Sequence, residues 1–160
     1  MSDFIRQVPV HWNDCDPARI VFHSHYVRWM DEGFHELLRA RGVEYAELQA
    51  IEPAFRGSPL VNINCAFRSP ALYGDTLEHR IALPEIGSGR SFRVRLTFHK
   101  DGTLVAEGEQ IRIWGMARPD GEGLRAVPVP PEVVARLRRE APDGTVMAAA
   151  QMRNHESEVP

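Results

Sequence analysis

The segment HWNDCDPARIVFHSHYVRWMDEGFHELLRARG, residues 11–42, decides how this chain is read. From Tyr26 onward its apolar residues fall at Tyr26, Trp29, Met30, Phe34, Leu37 and Leu38, with Gly33 on the same stripe. Spacings of three and four put these positions on one helical face and fit no strand. Arg39 and Arg41 suit the negative end of the helix dipole, and Gly42 is free to adopt the left-handed conformation that ends a helix. The stripe mixes aromatic rings with a glycine, so the helix is expected to lie pressed against a sheet, with Gly33 permitting close approach.

The flanking sequence supplies that sheet. Upstream, Val8, Val10 and Trp12 alternate with Pro9 and His11, which predicts a short strand ending at Trp12. Pro9 has no amide to donate, so the strand lies at an edge or begins near Pro9. Downstream, a loop carrying Pro53, Gly57 and Pro59 leads to Val61, Ile63, Cys65 and Phe67, alternating with Asn62, Asn64 and Ala66. Phe92, Val94, Leu96 and Phe98 repeat the period-two pattern, and Thr76–Leu83 lies between these two strands. Asp101-Gly102 is a hairpin signal that introduces a last long strand, Thr103–Trp114. The expected order is one strand, one long helix and a meander of four strands, an α+β architecture. Leu124–Val129 reads as a short extended piece, and Pro131–Leu137 opens like a helix with proline in its first turn. Residues 1–140 are expected to form one domain. Residues 141–160 carry no core periodicity and are expected to be a mobile tail.

Composition narrows the function. The 160 residues are 43% hydrophobic and 26% charged, enough for one packed core. Lys and Arg total 19 against 22 for Asp and Glu, a net charge of -3 that provides no basic footprint for nucleic acid. Neither a spanning apolar stretch nor the blocks of a secretory signal occurs, which reads as a cytoplasmic chain without a membrane partner. Cys15 and Cys65 read as small packing residues rather than a disulfide framework.

Polar density peaks just before the helix, at Asp14, Cys15 and Asp16, and at its expected start, His23, Ser24 and His25. A helix start offers unpaired amides and a positive dipole end, which stabilise charge developing on a carbonyl oxygen. Pro17 biases the Asp16 backbone to an extended conformation and so aims its carboxylate. Such a pair can split an acyl bond, the carboxylate attacking or activating water. The plainer reading stands beside it: Asp before Pro is a common turn, and Ser24 is a common N-cap.

The run Asp14-Cys15-Asp16-Pro17-Ala18, then Ile20-Val21, Tyr26 and Arg28-Trp29-Met30-Asp31, resembles the signature of 4-hydroxybenzoyl-CoA thioesterases and related acyl-CoA thioesterases of the hotdog fold. The likeness extends through Gly57-Ser58-Pro59, the strand from Val61, Arg90-Ser91-Phe92 and Leu124-Arg125-Ala126-Val127. It implies a curved antiparallel sheet of about five strands around one central helix. It also implies hydrolysis of an acyl-CoA thioester, with an aromatic, hydroxybenzoyl-like acyl group favoured and a short-chain or general acyl group as the alternative. By the same resemblance Asp16 matches the catalytic aspartate. His23 sits where a helix-start amide polarises the thioester carbonyl, with Ser24 beside it among the substrate-binding positions. Asp31 matches an acidic position that meets a ring hydroxyl, and Arg90, Ser91 and Arg125 fall near CoA-binding segments. The fold implies a homodimer or homotetramer with sites shared between chains, and no metal or other cofactor. Arg19 stands where the motif usually has glycine. The segment Phe22–Tyr26 also resembles the branch with a catalytic histidine at the position of His23.

Asp14, Asp16, His23 and His25 match no specific zinc spacing, so no metal is expected. Asp31 and His35 lie four apart and read equally as a surface pair or as substrate recognition. Cys15 reads as packing, since burial raises a thiol pKa. Tyr26, Trp29, Met30 and Phe34 are core first and acyl pocket second. A hotdog hydratase or a non-catalytic acyl-CoA sensor would share the pocket; free thiol among the products separates hydrolysis from both.

Overall fold

The computed structural model describes residues 3–84, 86–87 and 89–139. The expected tail, 141–160, lies outside the described residues. Among the described residues six strands and three α-helices follow in the order β1 (Phe4–Pro9), α1 (His23–Ala40), α2 (Tyr45–Ile51), β2 (Leu60–Phe67), β3 (Thr76–Ala82), β4 (Ser91–Lys100), β5 (Thr103–Ala117), β6 (Leu124–Val127) and α3 (Pro131–Arg138). The sheet is antiparallel with strand order β1-β3-β4-β5-β2, and β6 pairs the far end of β5. β1 is an edge strand, the first of the two placements that Pro9 allows, and Pro9 ends it rather than beginning it.

Three expectations need correction. The first strand stops at Pro9. Val10 still bonds Asp75 and Gly74, but the Asp14 carboxylate then accepts the His11 amide at 2.8 Å and winds Trp12–Asp14 into a 3-10 turn. Trp12 is left 73% exposed. The expected four-strand meander is three strands, β3-β4-β5, while β2 crosses over to the far side of β5. The loop after α1 contains α2, whose Tyr45 and Leu48 have helical spacing.

α1 lies across the sheet with Tyr26, Trp29, Met30, Gly33, Phe34, Leu37 and Leu38 buried, the stripe read from the sequence. Two glycines let it sit close. A Cβ on Gly33 would overlap the His79 ring and stand 3.1 Å from Ile81 Cδ1; one on Gly108 of β5 would overlap the Asn64 carbonyl and stand 2.7 Å from Met30 Cε. Beside Gly33, Arg6 of β1 is 4% exposed and donates to His79 Nδ1 at 3.1 Å, to the Trp29 carbonyl at 3.1 Å and to Glu36. His79 is stacked on Phe98, and burial, with the Arg6 charge adding, holds its pKa well below the ordinary histidine value.

The segment before α1 is a tight hairpin. Asp16 N–H donates to the Ile20 carbonyl, Arg19 N–H to the Asp16 carbonyl, and Cys15 bridges Val21. Turning within these few residues forces Arg19 to φ +65°, a left-handed conformation that glycine adopts without a Cβ penalty.

Two stability outcomes follow. Gly33→Ala inserts a methyl into the α1–β3 contact and is expected to lower the unfolding free energy by about 1–3 kcal/mol in urea titration. Arg19→Gly relieves about 1–2 kcal/mol of left-handed strain. The added flexibility of the unfolded chain takes back about 0.5–1 kcal/mol, so a net gain of about 0.5–1 kcal/mol is expected in the same titration.

Candidate active site

The hairpin and the start of α1 enclose an open cleft of about 620 Å³, lined by Asp16, Ile20, Val21, Phe22, His23 and Tyr26 and, from the end of β2 onward, by Phe67–Ala71. Asp16 is partly buried, and its Oδ1 accepts the Ala18 amide at 2.8 Å, which orients the carboxylate within the turn. α1 begins at His23 with Phe22 as its N-cap residue and no side-chain cap. Four amides at a helix start have no partner within the helix. Here Phe22 N–H is taken by the Asp14 carbonyl and His25 N–H by the Phe22 carbonyl, leaving those of His23 and Ser24 at the tip. Ser24 is therefore not the N-cap; it lies inside the first turn and is exposed.

Asp14 does different work from Asp16. It is 3% exposed, binds the His11 amide, and meets Arg28 at 3.1 Å and His25 at 3.2 Å. It ties the hairpin to α1 and so fixes where Asp16 sits relative to the helix tip. Cys15 has its thiol pushed up, chiefly by burial and further by the nearby Asp14, Asp16 and Asp75 carboxylates, so it is not a ready nucleophile. Burial pushes the Tyr26 phenol up to about 12, which keeps it neutral on the cleft wall. Tyr26 packs edge-on against Phe98 and lies 5.5 Å from the Phe67 ring. It serves the core and the cleft together.

Asp31 is elsewhere. It lies eight residues beyond His23, about 12 Å along the helix. There it borders a second cavity of about 610 Å³ between α1, α2 and the Phe55–Leu60 segment. It bonds Arg112 of β5, and its other oxygen is 3.7 Å from His35 Nε2. Arg90 and Ser91 are exposed where β4 begins, opposite Ile113, and exposed Arg125 pairs Met116, which bridges Phe55. All three therefore stand at the same end of the sheet as Asp31. The structure brings Asp16 and His23 to one cleft, leaves the exposed Ser24 side chain off its lining, and sets Asp31, Arg90, Ser91 and Arg125 at the opposite end of the subunit.

Sequence reasoning passed over the Phe67–Ala71 wall and Arg112. The break from alternating strand to Arg68-Ser69-Pro70 marks the first. Arg112 gave no signal, because an arginine within a strand reads as an exposed residue.

Comparison with known proteins identifies the family and the fold. The thioesterase-like superfamily profile matches residues 10–137. A 4-hydroxybenzoyl-CoA thioesterase from Pseudomonas sp. (strain CBS-3) is 31% identical over 133 residues, 80% of this chain and 92% of that one. The structure of a 4-hydroxybenzoyl-CoA thioesterase variant complexed with 4-hydroxybenzoyl-CoA superposes with TM-score 0.76 at 28% identity, covering 86% of this chain and 99% of the other. That of a gentisyl-coenzyme A thioesterase gives TM-score 0.69 at 30% identity, covering 84% and 99%. With the profile spanning most of its length and the same sheet wrapped on the same helix, this chain belongs to the thioesterase-like superfamily and has the hotdog fold of a thioester hydrolase.

Proposed function

We propose that the chain hydrolyses an aromatic acyl-CoA thioester, with Asp16 as the reacting carboxylate and the amide tip of α1 as the oxyanion site. The observation that carries this reading is that Asp16 and the free-amide end of α1 line one cleft. The Asp16 carboxylate attacks the thioester carbon, or takes the proton of an attacking water. The negative charge that forms on the carbonyl oxygen is met by the His23 and Ser24 amides. Collapse of that intermediate breaks the carbon–sulfur bond: on the water route Asp16 returns its proton to the thiolate, and on the direct route water then cleaves the acyl–Asp16 anhydride and supplies that proton, so both end in a free acid and CoA. An aromatic acyl group suits the rings of Phe22, Tyr26 and Phe67 around Asp16, and those of Tyr45 and Phe55 in the second cavity. It is also the substrate class in the names of the 4-hydroxybenzoyl-CoA and gentisyl-CoA relatives.

The working unit is a dimer formed along β2. Among the described residues β2 pairs only β5, so its outer edge is free. Its side chains are unusually exposed for apolar ones, Val61 at 61% and Phe67 at 51%. An open apolar edge is a template for a second strand. Leu60, at one end of β2, lines the Asp31 cavity, whereas Phe67, at the other end, lines the Asp16 cleft. A two-fold axis through the middle of β2 runs the partner strand antiparallel and sets each Asp16 cleft beside the partner's Asp31 cavity. The dispersed substrate-binding positions Asp31, Arg90, Ser91 and Arg125 then complete a site begun by Asp16 on the other chain.

A thiol-release assay over hydroxybenzoyl, benzoyl, phenylacetyl and short aliphatic CoA esters is expected to show the aroyl esters turned over fastest. Asp16→Asn should lose about 10²- to 10⁴-fold in kcat with an unchanged melting temperature; near-normal turnover by that variant rejects the assignment. Val61→Asp puts a charge on the β2 edge and is expected to yield monomers in sedimentation with activity lost in parallel. A fully active monomer would reject the shared site.

A further inference from the structure

Arg112 is an unusual side chain to find in a strand. Its side chain is 3% exposed and held from every direction: Nε donates to Gln110 at 2.9 Å, Nη1 to the Ser58 carbonyl at 2.9 Å, and Nη2 to Asp31 Oδ1, with the guanidinium 4.2 Å from the centre of the Phe34 ring. These partners belong to β5, the segment before β2, and α1, so the guanidinium has no freedom to swing. Asp31, by contrast, is 50% exposed. Arg112 occupies one oxygen of Asp31, a residue that lines the α1–α2 cavity, and His35 Nε2 stands 3.7 Å from the other oxygen, beyond hydrogen-bond distance. Burial also holds His35 toward its neutral form.

We propose that Arg112 is a specificity-determining positioning residue: it pins Asp31 as a charged acceptor on the cavity wall, so that the site selects acyl groups carrying a hydrogen-bond donor at their far end. This rests on the reading that the α1–α2 cavity receives the far end of an aromatic acyl group. Of the Asp31–Arg112 pair, a ligand meets the half-exposed carboxylate and not the enclosed guanidinium; Arg39, paired with Glu44, and Arg56 also line the cavity. A ring hydroxyl donates to it. A methoxy group has no proton to donate. A fixed acceptor left without a donor on ligand binding loses its water for nothing, which is what makes such sites discriminate.

The test measures kcat/KM for 4-hydroxybenzoyl-, 4-methoxybenzoyl- and benzoyl-CoA with wild type, Arg112→Met, Arg112→Lys and Asp31→Asn. Ratios taken within one protein cancel any loss of folded enzyme. Wild type is expected to prefer the hydroxylated ester over each of the others by roughly tenfold to a hundredfold, the range for a hydrogen bond to a charged group. That preference should fall to near one in Arg112→Met and Asp31→Asn and be largely retained in Arg112→Lys. An Arg112→Met enzyme that keeps the wild-type ratio while Asp31→Asn loses it overturns the role of Arg112. Wild-type turnover of all three esters without preference overturns this inference and leaves the hydrolase reading standing. Absence of thiol release from any ester overturns both.

Discussion

Contact between α1 and the sheet at two glycines is the constraint on which the remaining structure depends. At Gly33 the helix backbone meets the His79 ring, and at Gly108 the β5 backbone lies beneath Met30. One partner in each contact is bare backbone and the other a single side chain, the His79 ring or Met30, so helix and sheet stand one side chain apart with little room to slide. Most of the core follows from it. Phe34, Met30, Leu77, Ile81, Leu96 and Phe98 interlock in the space that remains, each nearly inaccessible to solvent. Close packing of this kind transmits position: where the middle of α1 is fixed, so is its N-terminal tip, and with it the direction of the amides at His23 and Ser24.

Rotation of the helix about its own axis is fixed by polar locks on its two flanks. Arg6 reaches from β1 to the Trp29 carbonyl and Glu36 on one side, while Arg112 reaches from β5 to Asp31 on the other. Both guanidiniums are almost wholly enclosed, and each satisfies several acceptors at once, which is the condition for a buried charge to be tolerated. Asp14 adds a third tie, from the hairpin to Arg28 and His25 in the first turns. Arg6 and Asp14 serve position alone. Arg112, in the role proposed for it, serves position and recognition together, because the acceptor it pins borders a cavity.

The helix, its boundaries and the edge placement of β1 were legible in the sequence because each rests on short-range rules: a 3.6-residue period, a C-terminal glycine, a proline without an amide. Asp16 and the helix tip were legible for the same reason, since fewer than ten residues separate them. What escaped depends on distant partners. On β5 the apolar Ile111 and Ile113 look like the inward set, yet Gln110 and Arg112 are the buried ones. The inversion arises because the α1 flank facing β5 carries Asp31, whose charge demands an inward cation. On β2 the alternation of Val61, Ile63, Cys65 and Phe67 correctly marks a strand, but all four remain partly or largely exposed. Hydrophobic alternation reports that a face is apolar; it does not report whether the same chain covers it. The crossover that takes β2 to the far side of β5 is likewise invisible to local pattern, and a meander is the natural default when consecutive strands follow one another.

That same crossover explains why a single subunit carries its candidate binding residues at two ends. Had β2 lain between β1 and β3, its edges would both be paired, and the Asp16 cleft would be closed by its own chain. Placed outermost, β2 touches both cavities, Phe67 in one and Leu60 in the other, and offers a free edge between them. In the proposed dimer, the strand that joins the chains is also the wall between the reacting carboxylate and the partner's recognition carboxylate. Assembly and substrate fit then cannot vary independently. A change in the β2 register shifts Asp31 of one chain relative to Asp16 of the other by the strand rise, about 3.3 Å per residue. Displacements of about 1 Å already cost orders of magnitude in a positioned reaction, so selection on turnover acts directly on the pairing of β2. In that proposed dimer the exposed apolar side chains of this strand belong to the catalytic geometry as well as to the interface.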